Sequence, residues 1–344
     1  MAAGLAEAGI LILAFAAPFV LLIALFPSYL RTLTRLGRVA EDAHKNPPTK
    51  VPMPAGPLLF AGLAVGELAV AVGFRTFVPV AVAAGAGVAF AIGLVDDLYV
   101  LGGKTKPILL LLAGIAFVSL SVLQPTLYRA DIFFPILGDT APHFIIYTVL
   151  AVAAFPVVAN AFNMMDAFNG EISWFTLLTS LALLVGVTLR ALFQSSFSPS
   201  RVASSLPLVA VAAAFLIYNR YPSKAFDGDS GSLMFGAAFA GLAVTGGVEI
   251  AAIIAIVPAI LNSFYTLSSV RGFVERRKMA SRPTYIGEDG LLHASMEKDA
   301  PNTLVRLVLL TSSMSERELV ASIVSLTAVA CVFSIVISLM TWVI

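Results

Sequence analysis

Residues 78–97 read VPVAVAAGAGVAFAIGLVDD, an apolar run that ends in two adjacent carboxylates. The run approaches the length of about 20 residues that a helix needs to cross a membrane. Charge beside hydrocarbon is costly, so an acid pair at such a border indicates function. Asp96 and Asp97 therefore point to a phosphate or a divalent metal handled at a membrane surface.

Composition places the chain among polytopic membrane proteins. Of its 344 residues, 59% are hydrophobic and 12% are charged, whereas a soluble globular domain carries about 25% charged residues. This excludes a soluble enzyme with a single membrane anchor. The formal net charge of +1 gives no indication of an acidic partner or of a nucleic acid. The lone Cys331 excludes a disulfide within the chain.

Apolar patterning predicts one all-α membrane domain, residues 1–344, with about ten spanning helices. The seventh predicted span is short, and the eighth and ninth are closely spaced. The predicted spans are residues 6–30, 54–73, 78–95, 107–124, 143–160, 172–189, 205–218, 231–247, 249–270 and 319–343.

The loops between these spans form two alternating sets that differ in charge. One set contains 17 of the 21 Lys and Arg residues, and the positive-inside rule places that set in the cytoplasm with both termini outside. The sequence therefore predicts a multi-pass protein of the plasma membrane with its active site on the cytoplasmic face. The predicted cytoplasmic loops are residues 31–53, 96–106, 161–171, 219–230 and 271–318.

The first polar cluster on this face combines Asp96 and Asp97 with Lys106. Adjacent carboxylates in one loop can bind Mg²⁺ or share a proton, and a nearby Lys can reach a phosphate as a point charge. An ordinary solvated helix end has the same appearance. The cluster alone does not decide between these interpretations.

The second cluster lies along one edge of a predicted helix. Asn160, Asn163 and Asp166 follow one another at intervals of three residues and share a helix face. Three oxygen donors on one face suit a hard cation or a sugar–nucleotide contact. Asn169-Gly170 then indicates a turn whose backbone amides can meet a base or a phosphate. Hydrogen bonding between helices is the alternative.

The third cluster is the segment FDGDSGS, residues 226–232, just before an apolar helix. A helix N-terminus offers unpaired N–H groups, which favour anions. Asp229 there is either a simple N-cap or part of a binding site. Capping accounts for one Asp, but it does not account for Phe226 and two acids among glycines, so the segment favours a binding site.

The last predicted cytoplasmic loop carries a basic patch. Contact with anionic lipid and binding of a pyrophosphate are both open interpretations of it. The first loop is rich in proline over residues 42–54 and is therefore shaped rather than floppy. The members of the basic patch are Arg276, Arg277, Lys278 and Arg282.

Taken in order, these clusters resemble the polyprenyl-phosphate N-acetylhexosamine-1-phosphate transferases, a superfamily of glycosyltransferase 4 type. The acid pair with Lys106 is similar to its DD…K motif, and residues 160–170 are similar to its NxxNxxDGxDG motif. Residues 226–232 are similar to its FxGDxGS motif. The three together, in order and on one membrane face, are specific. Residues 218–224, YNRYPSK, favour the archaeal and eukaryotic branch, that of the dolichyl-phosphate GlcNAc-1-phosphate transferases.

The resemblance implies a reaction of EC class 2.7.8.-. A UDP-sugar, with GlcNAc as the expected sugar, gives its sugar-1-phosphate to a polyprenyl or dolichyl phosphate. The products are a lipid-linked pyrophosphoryl sugar and UMP, as in the first membrane step of protein glycosylation or of cell-wall polymer assembly. The resemblance also implies Mg²⁺, with Mn²⁺ as an alternative, and a homodimer.

The resemblance further implies a role for each site residue. Asn163 and Asp229 become the metal ligands, and Lys106 holds phosphate charge. Asp96 and Asp97 orient or deprotonate the lipid phosphate; because that phosphate is already largely ionised at about pH 7, electrostatic positioning is the larger expected effect. Phe226 can stack on uracil. The implied substrate-binding residues are Asn160, Asp166, Ala167, Asn169, Phe226, Arg276, Arg277, Lys278 and Arg282.

The sequence departs from the family pattern at several positions. The DGxDG segment reads DAFNG over residues 166–170 and so lacks one Gly and one Asp. The histidine-rich signature of the last loop is absent, and Met53 stands where relatives carry an acid. These departures leave the sugar specificity open.

Two other interpretations remain. A transporter or channel would place ionisable groups near mid-membrane and often show internal repeats, whereas here the acids collect at one face. An intramembrane Mg²⁺-dependent prenyltransferase would require DxxxD-type spacing at two places, and it leaves residues 226–232 unexplained.

Overall fold

A bundle of α-helices forms the body of the protein. The computed structural model describes residues 2–45, 47–128, 132–134, 138–140, 143–194, 198–270, 272 and 281–342. A short 3₁₀ turn follows α5. In chain order, helices α1 to α13 are Ala2–Arg35, Gly56–Phe74, Val78–Tyr99, Thr105–Leu109, Leu111–Ser119, Phe144–Met165, Glu171–Phe193, Pro199–Asn219, Gly228–Gly246, Glu249–Ala255, Val257–Ser269, Leu304–Leu309 and Glu316–Trp342.

Within the described residues, three short antiparallel β-hairpins lie in the connections, where the all-α prediction contained no strands. The first and last of them fall in the first and last predicted cytoplasmic loops, and the second falls in an outer loop. The paired strands are β1 Val39–Asp42 with β2 Thr49–Pro52, β3 Ile132–Phe134 with β4 Gly138–Thr140, and β5 Thr284–Ile286 with β6 Leu292–Ala294.

Each of the ten predicted spans coincides with a helix or a run of short helices. Within the described ranges, eight segments are long and apolar enough to cross a membrane, or nine if the pair α10 and α11 is one broken span. The predicted count of ten is therefore not confirmed. Of the ten predicted spans, the one that is not among these candidate segments is α9. Its first turn, Gly228–Ser232, is polar.

The ninth predicted span, residues 249–270, is interrupted. Helices α10 and α11 meet at a bend of 64°, and Pro258 lies in the first turn of α11. Proline has no N–H to continue the ladder of the preceding helix, and its ring clashes with that helix's backbone. This residue is the physical reason for the break.

Helix α9 lies at the centre of the bundle and packs against α3 and α6. Every residue of α9 except Asp229 is buried. Glycines allow the close approach: a Cβ on Gly93 would lie 2.4 Å from the Asp229 carbonyl oxygen, and one on Gly236 would lie 2.6 Å from the Ala159 Cα. Small residues at such crossings let helix backbones come together within a membrane.

A buried cation satisfies the C-terminal end of α9. Arg190 of α7 donates from Nη1 to the carbonyl oxygens of Gly246 at 3.1 Å and Gly247 at 2.6 Å. Gly247, with φ of 57°, ends the helix in the left-handed conformation that glycine favours. The positive charge also complements the negative end of the helix dipole.

Candidate active site

Asp96 and Asp97 lie in the last turns of α3, which runs on to Tyr99, and not in the loop after it where the sequence placed them. The two carboxylates have different partners. Asp96 is buried. One of its carboxylate oxygens accepts the backbone N–H of Leu101, just past the helix end. The other lies 2.5 Å from Nζ of Lys106. Asp96 therefore fixes the turn after α3 and holds Lys106 beside it.

Asp97 binds the N-terminus of α9. Its carboxylate accepts the backbone N–H of Asp229 at 2.8 Å, and it accepts both the N–H and the hydroxyl of Ser230, at 3.1 Å and 2.6 Å. A helix N-terminus has N–H groups without helical partners and a positive dipole end, both of which a carboxylate satisfies. A Cβ on Gly228, which has φ of 73°, would lie 2.6 Å from this carboxylate. Glycine is therefore required at position 228.

Lys106 and Asn163 hold the Asp229 side chain between them. The Lys106 ammonium forms an ion pair with one Asp229 oxygen, and Asn163 Nδ2 donates to the other at 2.6 Å. Asn163 Nδ2 also lies 2.9 Å from Oγ of Ser232. The predicted metal ligands and the predicted catalytic residues Asp96 and Lys106 therefore meet in one cluster, although they come from α3, α4, α6 and α9.

The donor set of this cluster fits a hard divalent cation. Asp229 offers a carboxylate and Asn163 an amide oxygen, and oxygen ligands are those that Mg²⁺ prefers. The Asn163 nitrogen faces Asp229 here, and a half-turn of the amide places its oxygen there instead. The Lys106 ammonium neutralises the same carboxylate and would share it with the metal.

A second pair of carboxyls lies beside this cluster. Asp166 caps the end of α6, and the carboxyl of Asp227, which is fully buried, faces it. Burial raises the pKa of Asp227 well above its ordinary value of 3.8, and the charge of Asp166 raises it further. Among the described residues, no other residue's N–H or hydroxyl donates to the Asp227 oxygens. The raised pKa favours the protonated carboxyl of Asp227, which can donate a hydrogen bond to Asp166.

Other predicted substrate-binding residues are close in sequence to the cluster residues, but each contacts a different part of the protein. Asn160 donates from Nδ2 to the Pro156 carbonyl oxygen of its own helix at 2.7 Å. Phe226 and Ala167 are half-buried. The backbone around Phe226 is fixed by the first loop, because its N–H donates to the Pro52 carbonyl oxygen at 3.0 Å. The binding roles of these residues stay predictions.

Residues 79–247 match the sequence profile of glycosyl transferase family 4. Over this segment, which is just under half of the chain, the protein is similar to glycosyl transferase family 4. The matched segment runs from the start of α3 to the end of α9 and so contains all three motifs that meet around Asp229.

Curated relatives extend the similarity beyond that segment. One is a protein of Saccharolobus solfataricus, provisionally named as a UDP-N-acetylglucosamine–dolichyl-phosphate N-acetylglucosaminephosphotransferase; it is 24% identical over 336 residues, covering 94% of this chain and 97% of its own length. A relative of the same name from Sulfolobus acidocaldarius is 26% identical, covering 73% and 70% of the two chains. A protein of Bacillus subtilis, provisionally named as an undecaprenyl-phosphate N-acetylglucosaminyl 1-phosphate transferase, is 26% identical, covering 69% and 63%.

The basic patch lies mostly beyond what the structure describes. Arg276, Arg277 and Lys278 are outside the described residues. Arg282 is exposed and lines an open cavity of about 560 Å³ together with Tyr285 and Glu297. Its part in binding substrate stays a prediction.

Asn169 belongs to a charged network that the sequence did not reveal. Its side-chain nitrogen donates to Asp42 Oδ2 at 2.8 Å and to Glu316 Oε1 at 2.6 Å. The Lys45 ammonium forms ion pairs with the same two acids. Asp42, His44 and Glu316 lie close enough to share a metal ion, but Lys45 and the Asn169 amide already occupy the acid oxygens. We therefore interpret the cluster as an ion-pair network rather than a metal site.

The sequence offered only a partial signal for this network. Asp42 and Lys45 stand in the proline-rich first loop that was expected to be shaped. Glu316 begins α13, three residues before the predicted start of that span, and nothing local distinguishes it from an ordinary first-turn acid. Its contact with Asn169 joins residues 147 positions apart, which no local pattern can show.

Proposed function

We propose that the protein transfers a sugar-1-phosphate, with GlcNAc-1-phosphate as the group transferred, from a UDP-sugar to a polyprenyl or dolichyl phosphate. The observation that carries this proposal is the cluster of Lys106, Asn163 and Asp229, which joins three distant motifs at one point. Similarity to the Saccharolobus solfataricus protein over 94% of the chain supports the donor and acceptor classes.

In the proposed reaction, an oxygen of the lipid phosphate attacks the donor phosphorus that carries the sugar. The bond from that phosphorus to the bridging oxygen breaks, and UMP leaves with the bridging oxygen and its electron pair. The lipid phosphate is largely ionised near neutral pH, because the second pKa of a phosphate monoester is about 6. The step therefore requires positioning and charge neutralisation more than a general base.

The contacts of the acid pair agree with a positioning role. Asp97 already accepts three hydrogen bonds from α9, and Asp96 already binds Lys106 and the Leu101 N–H. Because both carboxylates already bind partners within the protein, their arrangement does not favour a general-base role for either. Together they hold Lys106 and Asp229 so that the Lys106 ammonium can face the phosphates of both substrates.

Mg²⁺ held by Asp229 and Asn163 would neutralise charge on the donor pyrophosphate. Phe226 stands three residues before Asp229 and is half-buried. Its ring offers a face on which the base can stack. Asn169, in the turn after α6, is buried, and its side-chain oxygen is the polar atom that remains to meet the base edge.

The proposal includes ten membrane crossings, with α9 as a span enclosed by the other helices. A polar helix can lie within a membrane when protein surrounds it and its ends are satisfied. Here all of α9 except Asp229 is buried, Asp97 binds one end, and Arg190 binds the other. With ten crossings, the charge pattern of the loops supports a position of the cluster on the cytoplasmic face.

The test uses the purified full chain with Mg²⁺, UDP-GlcNAc and polyprenyl phosphate, and it measures the release of UMP. We expect release by the wild type and none by Asp229→Ala. Asp299→Ala, which changes an exposed acid of the last loop, is the matched control and should keep wild-type activity.

Two results would count against the proposal in different ways. Normal release of UMP by Asp229→Ala would remove the metal assignment and leave the reaction in place. No release from any nucleotide sugar would remove the reaction itself and favour the transporter interpretation.

A further inference from the structure

The Asn169 side chain is fixed by two acids from opposite ends of the chain. Asp42 comes from the first hairpin and Glu316 from the first turn of α13. Each accepts one hydrogen bond from Asn169 Nδ2, at 2.8 Å and 2.6 Å. An amide nitrogen carries two hydrogens, so both are used inside the protein. Asn169 Oδ1 is buried and has no hydrogen-bond partner among the described residues.

The surrounding charge permits only one orientation of this amide. If the amide turned over, Oδ1 would face the carboxylates of Asp42 and Glu316, which donate nothing. The Glu316 carboxylate also accepts the backbone N–H of Asn169 at 3.0 Å. The chain therefore leaves Oδ1, a buried hydrogen-bond acceptor, as the polar atom of this side chain that has no partner among the described residues.

The same network accounts for an amide at position 169, where the family pattern carries an acid. Asp42 and Glu316 are both buried, and Lys45 is the cation paired with them. A carboxylate at position 169 would add a third negative charge beside two, with one ammonium to offset them. Like charges without compensation in a buried site are strongly unfavourable.

Glu316 is itself held in place by the last loop. Met314, two residues earlier, exchanges backbone hydrogen bonds with Leu292 of β6, at 2.9 Å and 3.2 Å. Ser313 Oγ lies 2.7 Å from Nδ1 of His293, which neighbours Leu292. The hairpin β5–β6 thus fixes the turn from which Glu316 reaches Asn169.

We propose that Glu316, with Asp42, is a positioning residue that orients the Asn169 amide so that only its oxygen can meet the donor's base, which selects a base with an N–H at that edge. This inference rests on the proposed function. Uracil carries an N–H at ring position 3, whereas cytosine carries an acceptor nitrogen there. A site that offers a fixed buried acceptor discriminates strongly against a ligand that lacks the matching donor.

The experiment measures the affinities of the full chain for UMP and for CMP by calorimetry, with Mg²⁺ present. We expect wild type to prefer UMP. Glu316→Gln should reduce that preference about tenfold, because a Gln amide can either donate or accept and so lets Asn169 turn over. Glu318→Gln, an exposed acid on the same helix turn, is the matched control and should keep the preference.

A second variant separates orientation from general damage to the fold. Asn169→Leu removes the acceptor and should abolish the preference by itself. Adding Glu316→Gln to Asn169→Leu should then change nothing further, because the positioning residue acts only through Asn169. If Glu316→Gln does not fold, Asp42→Asn tests the other hydrogen bond with the same readout.

Several outcomes would overturn the inference. These are equal affinity of wild type for UMP and CMP, an unchanged preference in Glu316→Gln, or an equal loss in Glu318→Gln. The proposed function fails separately. If wild type releases no UMP from a UDP-sugar, yet Glu316→Gln still lowers the UMP preference, the reaction is wrong and the positioning role stands.

Discussion

The Asp97 carboxylate accepts the backbone N–H of Asp229 at 2.8 Å, although 132 residues separate the two. One acid of the DD pair thus positions the acid of the third motif by satisfying the helix on which it stands. Asp97 binds the backbone N–H of Asp229 and not its side chain. The Asp229 carboxylate therefore remains directed at Lys106 and Asn163.

Substitution of Asp97 should therefore affect stability and metal dependence together. Asp97→Ala leaves the first N–H groups of α9 without a partner, and loss of such a cap costs about 1 kcal/mol. We expect a lower melting temperature in detergent and a higher Mg²⁺ concentration for half-maximal release of UMP. Asp97→Asn keeps one acceptor oxygen and should show a smaller effect of the same kind. If Asp97→Asn lowered turnover by about 100-fold or more with unchanged melting and Mg²⁺ dependence, Asp97 would be a base and not a cap.

Removal of the Lys106 charge should separate metal binding from turnover. Lys106 pairs with Asp96 and Asp229, so Lys106→Met leaves two facing carboxylates that bind a divalent cation more tightly. Turnover should nevertheless fall by about 100-fold or more, because the ammonium that faces the phosphates is lost. Mn²⁺ binding followed by electron paramagnetic resonance, together with UMP release, measures both effects.

Lys104→Met changes an exposed lysine two residues away and should alter neither quantity. Weaker Mn²⁺ binding by Lys106→Met would show that the ammonium organises the carboxylates rather than competing for them.

The sequence predicted the position of a helix well where a single apolar run determines it. The span at 78–95 is α3, and its acid pair closes that helix. Hydropathy alone could not show that residues 249–270 are broken, although Pro258 marks the place. It also could not show how α9 is enclosed, because its burial depends on Gly93 and on neighbours far away in the chain.

The candidate site was predictable to the extent that its motifs are local. Asn163, Asp166 and Asn169 follow a regular spacing that is visible in the sequence. Glu316 carries no such spacing, and its contact with Asn169 arises only when the start of α13 meets the turn between α6 and α7. Long-range hydrogen bonds of this kind require the tertiary structure, because any first-turn acid of a helix has the same local appearance.

Asp227 gives the stability of the protein a predictable dependence on pH. Its pKa in the folded chain is raised well above 3.8, chiefly by burial and then by Asp166. Between the two values the folded chain holds a proton that the unfolded chain has released. The stabilising contribution is therefore complete below the unfolded pKa and is lost as pH rises through the folded pKa. The Asn side chain of Asp227→Asn cannot ionise. The stability of this variant should therefore decline less than that of the wild type as pH rises from the unfolded to the folded pKa.

Melting temperatures in detergent from about pH 4 to about pH 8 measure this difference. Asp299→Asn, which changes an exposed acid, should follow the wild-type curve. Parallel curves for wild type and Asp227→Asn would show that the Asp227 carboxyl has the same proton affinity in the folded and unfolded chains.

Asn262 should matter for both stability and turnover, because it ties the broken helix to the end of α6. Its Nδ2 donates to the Met164 carbonyl oxygen at 2.7 Å, and its Oδ1 accepts the Leu304 N–H at 2.9 Å. Asn262→Ala leaves the buried Leu304 N–H and the half-buried Met164 carbonyl without this partner, which costs about 2 kcal/mol or more. Met164 adjoins Asn163, so the substitution also loosens a predicted metal ligand. We expect a lower melting temperature and a higher Mg²⁺ requirement for UMP release, with Ser268→Ala on the exposed side of α11 unchanged in both. A lower melting temperature with an unaltered Mg²⁺ requirement would show that α6 holds Asn163 without help from α11.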